Sequence, residues 1–272
     1  VPYRHDATRA VKLLQIRQAE QRRMREYMTT KECLMLFLRR ELDDPDTTPC
    51  GQCANCRGED LLPVTPTARM TQCAQRYLKR GDEVIEPRRF WASDALEVHG
   101  WKGKIAEELR CEEGRSLCRW GDSGWGVNVR EGKLRTGQYD DELVKGAGLL
   151  IRERWNLAPA PGWVTCVPSL RHPELVPDLA RRIAHELKLP FVDCVSKLRK
   201  TEPQKEMQNS YQQSHNLAGS FTVDGKRALS MPVLLVDDMV DSRWTFTVIG
   251  ALLREAGSGP VYPFALAKSF AK

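Results

Sequence analysis

No G-x-x-x-x-G-K-[ST] phosphate loop occurs anywhere in the 272 residues. The nearest approach, HGWKGK at 99–104, has the wrong spacing and no hydroxyl residue after its lysine, so ATP is not expected to bind here in that way. Apolar runs long enough to cross a bilayer are lacking as well. The N-terminus is charged from Arg4 onward with no apolar segment behind it, which predicts no signal peptide and a cytoplasmic location. The chain opens at Val1, as a piece excised from something longer would. Glycine is missing where it would be most expected, in the turn after the acidic pair of VLLVDDMVDSRWTFT at 233–247.

What remains is enough for real cores. Hydrophobic residues make up 41% of the chain, and the length suggests two or three domains. The net charge of +6 is unevenly spread: residues 1–40 hold ten Lys/Arg against four Asp/Glu, residues 41–60 one against six. A cationic first segment suits a polyanion, and a solvated helix face accounts for it equally well.

Nine cysteines without an export signal point to metal rather than disulfides. Cys33, Cys50, Cys53 and Cys56 form C-x16-C-x2-C-x2-C. Four thiolates suit tetrahedral Zn²⁺, and four protein ligands leave no open position, so the zinc is expected to be structural. Cys73, Cys111, Cys118, Cys166 and Cys194 stand in apolar contexts and read as core. Residues 6–28 and 30–42 read as two helices, the first ligand lying on the second helix and the others on the loop after it.

This arrangement resembles the zinc-binding subdomain that follows the motor of RecQ-family DNA helicases. The match covers roughly residues 8–58 and rests on RRMREYM and PCGQCANC. The resemblance implies a platform beside the DNA path, with Arg17, Arg22, Arg23 and Arg25 as phosphate contacts. An acidic box of the helicase type is missing. ATP and Mg²⁺ would therefore belong to a motor domain absent from this chain.

Residues 61–147 read as short helices, one from Thr65–Pro66 to Gly81 and one from about Lys104, followed by a glycine-rich stretch with the look of a wing. In order and pattern this resembles the winged helix that follows the zinc subdomain in RecQ helicases. Arg88, Arg89, Trp101, Lys102 and Lys104 interleave cations with an indole that could stack on a base, a core tryptophan and a wet cationic face being the alternative. Charge over residues 61–150 is fifteen basic to fourteen acidic, so a DNA surface here would be a local patch.

From residue 148 apolar strands alternate with helical stretches, which predicts a mainly parallel sheet with crossover helices. The order of VPSLRHPELVPDLARRIA, QKEMQNSYQQSHNLAGSF and VLLVDDMVDSRWTFT resembles a type I phosphoribosyltransferase of the ComF-related kind. That resemblance implies ribose contacts from Asp237 and Asp238 and a phosphate loop at Asp241, Ser242, Arg243 and Thr245. Asp241 puts an anion where an anion should sit. Arg243 stands where glycine would let the backbone approach, and an Asp241–Arg243 pair would most simply fill the vacated pocket.

The expected architecture is thus multidomain: an α-helical zinc-binding subdomain (1–60), a winged-helix-like domain (61–147) and a phosphoribosyltransferase-like α/β domain (148–272). The expected function is that of the DNA-engaging accessory region of a bacterial, nucleoid-associated RecQ-like ATP-dependent 3′-to-5′ helicase, its last domain non-catalytic. Expected partners are tailed or forked duplex DNA and the motor of the same polypeptide, with no membrane. An active transferase delivered to nucleic acid, or a zinc-containing DNA-binding regulator, are the alternatives.

Overall fold

The computed structural model describes residues 7–201, 207 and 209–269; part of the QKEMQNS stretch lies outside them. The chain folds as two compact units, residues 1–71 and 72–272.

The first unit holds α1 (Ala7–Thr29), α2 (Leu34–Glu41) and the short α3 (Ala54–Arg57). Its apolar burial is small: Cys33, Leu36 and Phe37 are the buried hydrophobic residues among those described. Tyr27 of α1 meets Phe37 of α2 with ring centroids 5.6 Å apart, and the Arg23 guanidinium lies 4.6 Å above the same Phe37 ring. The expected helices are both present.

Helix α4 (Ala68–Leu78) leads into the second unit. Its other elements run β1 (Glu83–Ile85), β2 (Gly114–Arg119), α5 (Trp125–Glu131), α6 (Asp141–Leu149), β3 (Trp163–Cys166), α7 (Leu175–Leu187), β4 (Val195–Lys197), α8 (Ser210–His215), β5 (Phe221–Val223), β6 (Val233–Val240), α9 (Trp244–Glu255) and β7 (Val261–Lys268). Five strands form one sheet in the order β1-β2-β7-β6-β3, and β4 pairs β5 in a small antiparallel ribbon. Within the main sheet β2, β7, β6 and β3 are parallel and only β1 runs against its neighbour.

Parallel strands covered on both faces read as continuous apolar runs, and VLLV at 233–236 is one. Val164, Leu234, Val236, Phe264 and Leu266 face α5, α6 and α7. Trp163, Val233, Leu235 and Ala265 face the opposite layer, built on α9 and the segment around Trp91 and Trp101. Helix α7 covers its face with Leu175, Val176, Leu179, Ala180, Ile183 and Ala184, the spacing of an amphipathic helix. On the other side, Gly250 of α9 lets Cys111 press close: a Cβ there would lie 2.2 Å from its sulfur.

Several expectations for residues 61–147 are corrected. The supposed wing is strand β2, a turn and helix α5, not a hairpin. Strand β2 pairs with β7 from Arg115↔Phe264 to Arg119↔Lys268, so its apolar residues Leu117 and Cys118 enter the core of the α/β unit. No boundary at residue 147 separates the two compact units. The helix expected from Lys104 is a single turn at Glu107–Leu109. Cys73 is exposed, as are Met70 and Tyr77 on the same helix, whereas Cys111, Cys118, Cys166 and Cys194 are buried as expected.

Candidate functional site

The four spaced cysteines come together. Their sulfurs all lie within 4.8 Å of one another, Cys33 to Cys50 at 3.5 Å and Cys53 to Cys33 at 4.0 Å. A tetrahedron with metal–sulfur bonds of about 2.3 Å has sulfur–sulfur edges of about 3.8 Å, so the donor set fits a tetrahedral ion. Local geometry explains the convergence. Cys33 caps α2, accepting from the Leu36 N–H. Gly51 takes φ +67°, which glycine adopts without strain and which folds the loop sharply back. The Asn55 amide donates to the carbonyls of Thr30 (2.9 Å) and Glu32 (2.7 Å), tying the ligand loop to the α1–α2 link.

Electrostatics point the same way. The N–H groups of Cys50 and Leu36 aim at the Cys33 sulfur and pull its thiol down to about 6. Desolvation opposes ionisation of Cys53, yet N–H groups of Cys56 and Leu34 leave its thiol below the ordinary value. Cys56 is pushed up to about 12, first by its hydrogen bond to Cys53, then by burial and by Cys33. The first thiolates to form thus obstruct the last, and a cation among them removes that obstruction.

The arginines of α1 divide. Arg23 bonds Glu26 and Glu41 and covers Phe37, so it joins α1 to α2. Arg17 pairs with Glu20 at 2.8 Å. Arg22 and Arg25 are exposed and, among the described residues, have no carboxylate within ion-pair distance. At about 100° per residue, Arg17, Arg25 and Arg22 share an arc of about 140°, with Arg23 outside it.

In the second unit, Arg89, Lys102 and Lys104 are exposed. Arg88 and Trp101, expected as DNA contacts, are engaged within the unit. The Arg88 guanidinium lies 3.8 Å above the Trp244 ring and donates to the Ser242 carbonyl at 3.0 and 2.6 Å. Burial, then the charge of Arg243, lowers Arg88 to about 10. Trp101 is 5% exposed, stacked between Trp91 and His99, with its indole N–H on Glu255 at 2.8 Å. Little of its ring is exposed.

At the C-terminal ends of β3 and β6 lies a cavity of 560 Å³, lined among others by Lys133, Arg171, Lys197, Lys200, Asp237, Asp238 and Thr245. Crevices outside the carboxyl ends of parallel strands are where open α/β sheets hold ligands. Asp238 is buried and accepts from Lys133 Nζ at 2.6 Å and from the Tyr139 hydroxyl at 2.7 Å. Asp237 accepts from the Asp238 N–H. Burial, then the charge of Asp238, raises the Asp237 carboxyl well above its usual range. Lys133 and Tyr139 lie some hundred residues before Asp238 in a segment without a motif, and no sequence signal marked them.

The expected Asp241–Arg243 pair does not form. Strand β6 stays paired with β7 through Val240↔Lys268, which sets Asp241 beside Ser269, whose hydroxyl donates to it at 2.7 Å. Arg243 turns instead to the Glu86 carbonyl, 3.3 Å away, and the Glu86 carboxylate at 3.8 Å. It also adopts the left-handed backbone that favours glycine, with φ +69° just before α9. A non-glycine residue there is strained, so Arg243→Gly is expected to stabilise the unit by about 0.5–1 kcal/mol. A tryptophan-monitored melt should rise by about 1–3 °C; a fall would mean the Glu86 contacts outweigh the strain.

Among the described residues no helix is long and apolar enough to cross a membrane. No protein-family model matches the chain, and no curated protein matches it. Among solved structures, it is similar to one described as the structure of the allosteric regulatory enzyme of purine biosynthesis, at 19% identity and a TM-score of 0.31. The match covers 46% of this chain and 25% of that one, so the chain spans about a quarter of its length. The second unit is mixed α/β with a mostly parallel five-stranded sheet, and the first holds a four-cysteine cluster able to bind a metal ion.

Proposed function

We propose that this chain is the DNA-engaging region of a RecQ-like ATP-dependent 3′-to-5′ helicase. In this reading Zn²⁺ sits on Cys33, Cys50, Cys53 and Cys56 as a structural ion, and tailed or forked duplex is the substrate surface. ATP and Mg²⁺ act in a motor domain of the same polypeptide. The observation that carries the reading is the convergence of four sulfurs beside a helix presenting Arg17, Arg22 and Arg25 on one face. A bound ion would make that face a rigid cationic platform, and several cations held on one face can neutralise neighbouring phosphates together.

The α/β unit is read as a phosphoribosyltransferase-like domain that does not transfer ribose phosphate. One carboxylate of its acidic pair is already occupied by Lys133 and Tyr139, and Arg88 holds the Ser242 carbonyl of the loop.

The test is the double variant Arg22→Ala/Arg25→Ala, titrated with a fluorescent tailed duplex over a salt series. Two lost phosphate contacts should weaken binding and flatten the slope of log K against log salt by about 1.8. Arg23→Ala should act differently, loosening α1 from α2. Unchanged affinity and slope in the double variant would contradict the platform.

A further inference from the structure

In the cation-rich stretch around residues 88–104, Arg88 and Trp101 turn inward, while Arg89, Phe90, Lys102 and Lys104 stay outside. Two chain segments hold them. Phe90 pairs with Lys104 as an antiparallel bridge, and the N–H groups of Trp91 and Ile105 donate to the carbonyls of Gly103 and Arg89, both at 2.9 Å. Those bonds flank the pair rather than join it. This is the non-hydrogen-bonded kind of antiparallel pair, in which opposite side chains stand closest. Phe90 and Lys104 therefore leave the backbone side by side on one face. Their neighbours Trp91 and Ile105 leave on the other, where they are 6% and 0% exposed. On that buried face Trp91 stacks on Trp101 and Trp101 on His99, which anchors the ribbon in the unit.

Phe90 is 63% exposed. A single exposed apolar side chain is ordinary; the three cations around this one set it apart. Arg89, Lys102 and Lys104 are exposed, and among the described residues no carboxylate lies within ion-pair distance of them. Nearby carboxylates are turned elsewhere: Glu86 towards Arg243 at 3.8 Å, Glu107 towards Arg110 at 3.6 Å and Glu255 to the Trp101 indole at 2.8 Å. Gly103 adds room between the two lysines, since nothing lies within 4 Å of the place a Cβ would take there.

An open aromatic ring among unpaired cations meets both demands of a single strand. Its bases show π-faces that a duplex keeps stacked inside, and its phosphates need countercharge. A duplex or an acidic peptide would satisfy the cations alone. None of the four side chains lines the crevice at the ends of β3 and β6.

We propose that this ribbon is a contact for single-stranded DNA, in which a base stacks on Phe90 while Arg89, Lys102 and Lys104 hold the flanking phosphates. The choice of DNA over RNA rests on the DNA-engaging reading of the chain. The stacking contact itself does not, and it needs neither the metal nor the arginines of α1.

The test uses the whole chain carrying Arg22→Ala/Arg25→Ala, so that the platform of the first unit does not contribute. Fluorescence anisotropy follows a labelled oligothymidine of about 12 nucleotides, an oligouridine of the same length and a blunt duplex. Phe90→Ala is expected to weaken oligothymidine binding about five- to hundredfold and to leave duplex binding within about twofold. Phe90→Trp should retain binding, and Phe90→Leu, apolar but without a π-face, should fall with alanine. Lys102→Gln/Lys104→Gln should flatten the slope of log K against log salt by about 1.4. Phe90 is exposed, so its variants are expected to fold, and native tryptophan fluorescence checks this. No oligothymidine binding at low salt, a leucine variant equal to phenylalanine, or an equal loss on the duplex would overturn the contact. Oligouridine bound as tightly or more tightly would overturn the choice of DNA. A loss on Phe90→Ala beside an unchanged salt slope for Arg22→Ala/Arg25→Ala would keep this contact and sink the platform; the converse result would do the opposite.

Discussion

Removing metal from the four-cysteine centre is expected to unfold the first unit and leave the second standing. The reason is the size of the two cores. Among the described residues of the first unit, the buried hydrophobic side chains are Cys33, Leu36 and Phe37. Their burial contributes about 1.5–3 kcal/mol for each large side chain, whereas ordering a residue costs about 1–2 kcal/mol of backbone entropy. A structural zinc ion in a small domain supplies about 10–16 kcal/mol, enough to decide whether α2 and the ligand loop are ordered at all. The second unit has a continuous core on both faces of its sheet and needs no such help.

The sequence offers a way to see the two units separately. All seven tryptophans lie at residue 91 or later, in the second unit. A strong chelator should therefore lower far-UV helical signal and open the first 71 residues to protease, while tryptophan fluorescence stays native. Cys53→Ser should reproduce this without chelator; Cys73→Ser, whose side chain is exposed and outside the cluster, should not. A chain that keeps its helical signal and protease resistance after complete metal removal would show that the sulfurs are held together by the fold alone.

Trp101→Ala is expected to have the largest effect of any single substitution in the second unit discussed here. Its ring is stacked on Trp91 at 4.6 Å and on His99 at 4.4 Å, and its N–H is bound to Glu255 of α9. Truncation would leave a cavity beneath the segment covering α9 and strip Glu255 of its donor. Large-to-small aromatic changes of this kind cost about 3–5 kcal/mol. Trp101→Phe keeps the stack and loses the hydrogen bond, for about 1–2 kcal/mol. The measurement is urea unfolding followed by fluorescence, with tailed-duplex affinity determined for the folded Phe variant. Stability should fall in the order wild type, Phe, Ala, and the Phe variant should bind DNA as wild type does. A variant of full stability with weakened DNA binding would return Trp101 to the nucleic-acid surface.

What could be read from the sequence follows a physical line. Cysteine spacing is local: three of the ligands lie within seven residues, and a loop that short brings them together under almost any fold. The run VLLV and the periodic α7 announced a buried parallel sheet because burial on both faces leaves no polar positions. The stretch 114–134 reads as a wing because a short strand before a glycine-rich turn looks alike in a wing and within a larger sheet. Only the pairing of β2 with β7, about 150 residues away, separates the two. The inward turn of Arg88 and Trp101 was hidden for the same reason, since their partners Ser242, Trp244 and Glu255 lie about as far along the chain. Arg243 shows a different gap: left-handed backbone is disfavoured for arginine, yet contacts from Glu86 and the start of α9 hold it there.

The most direct test compares the affinity of the whole chain for a tailed duplex when metal-loaded and after chelation, with the tryptophan signal confirming in both cases that the α/β unit is intact. The account predicts salt-dependent binding by the loaded protein and a loss of at least tenfold once the ion is gone. Equal affinity in the two states, or no binding by the loaded protein, would contradict it.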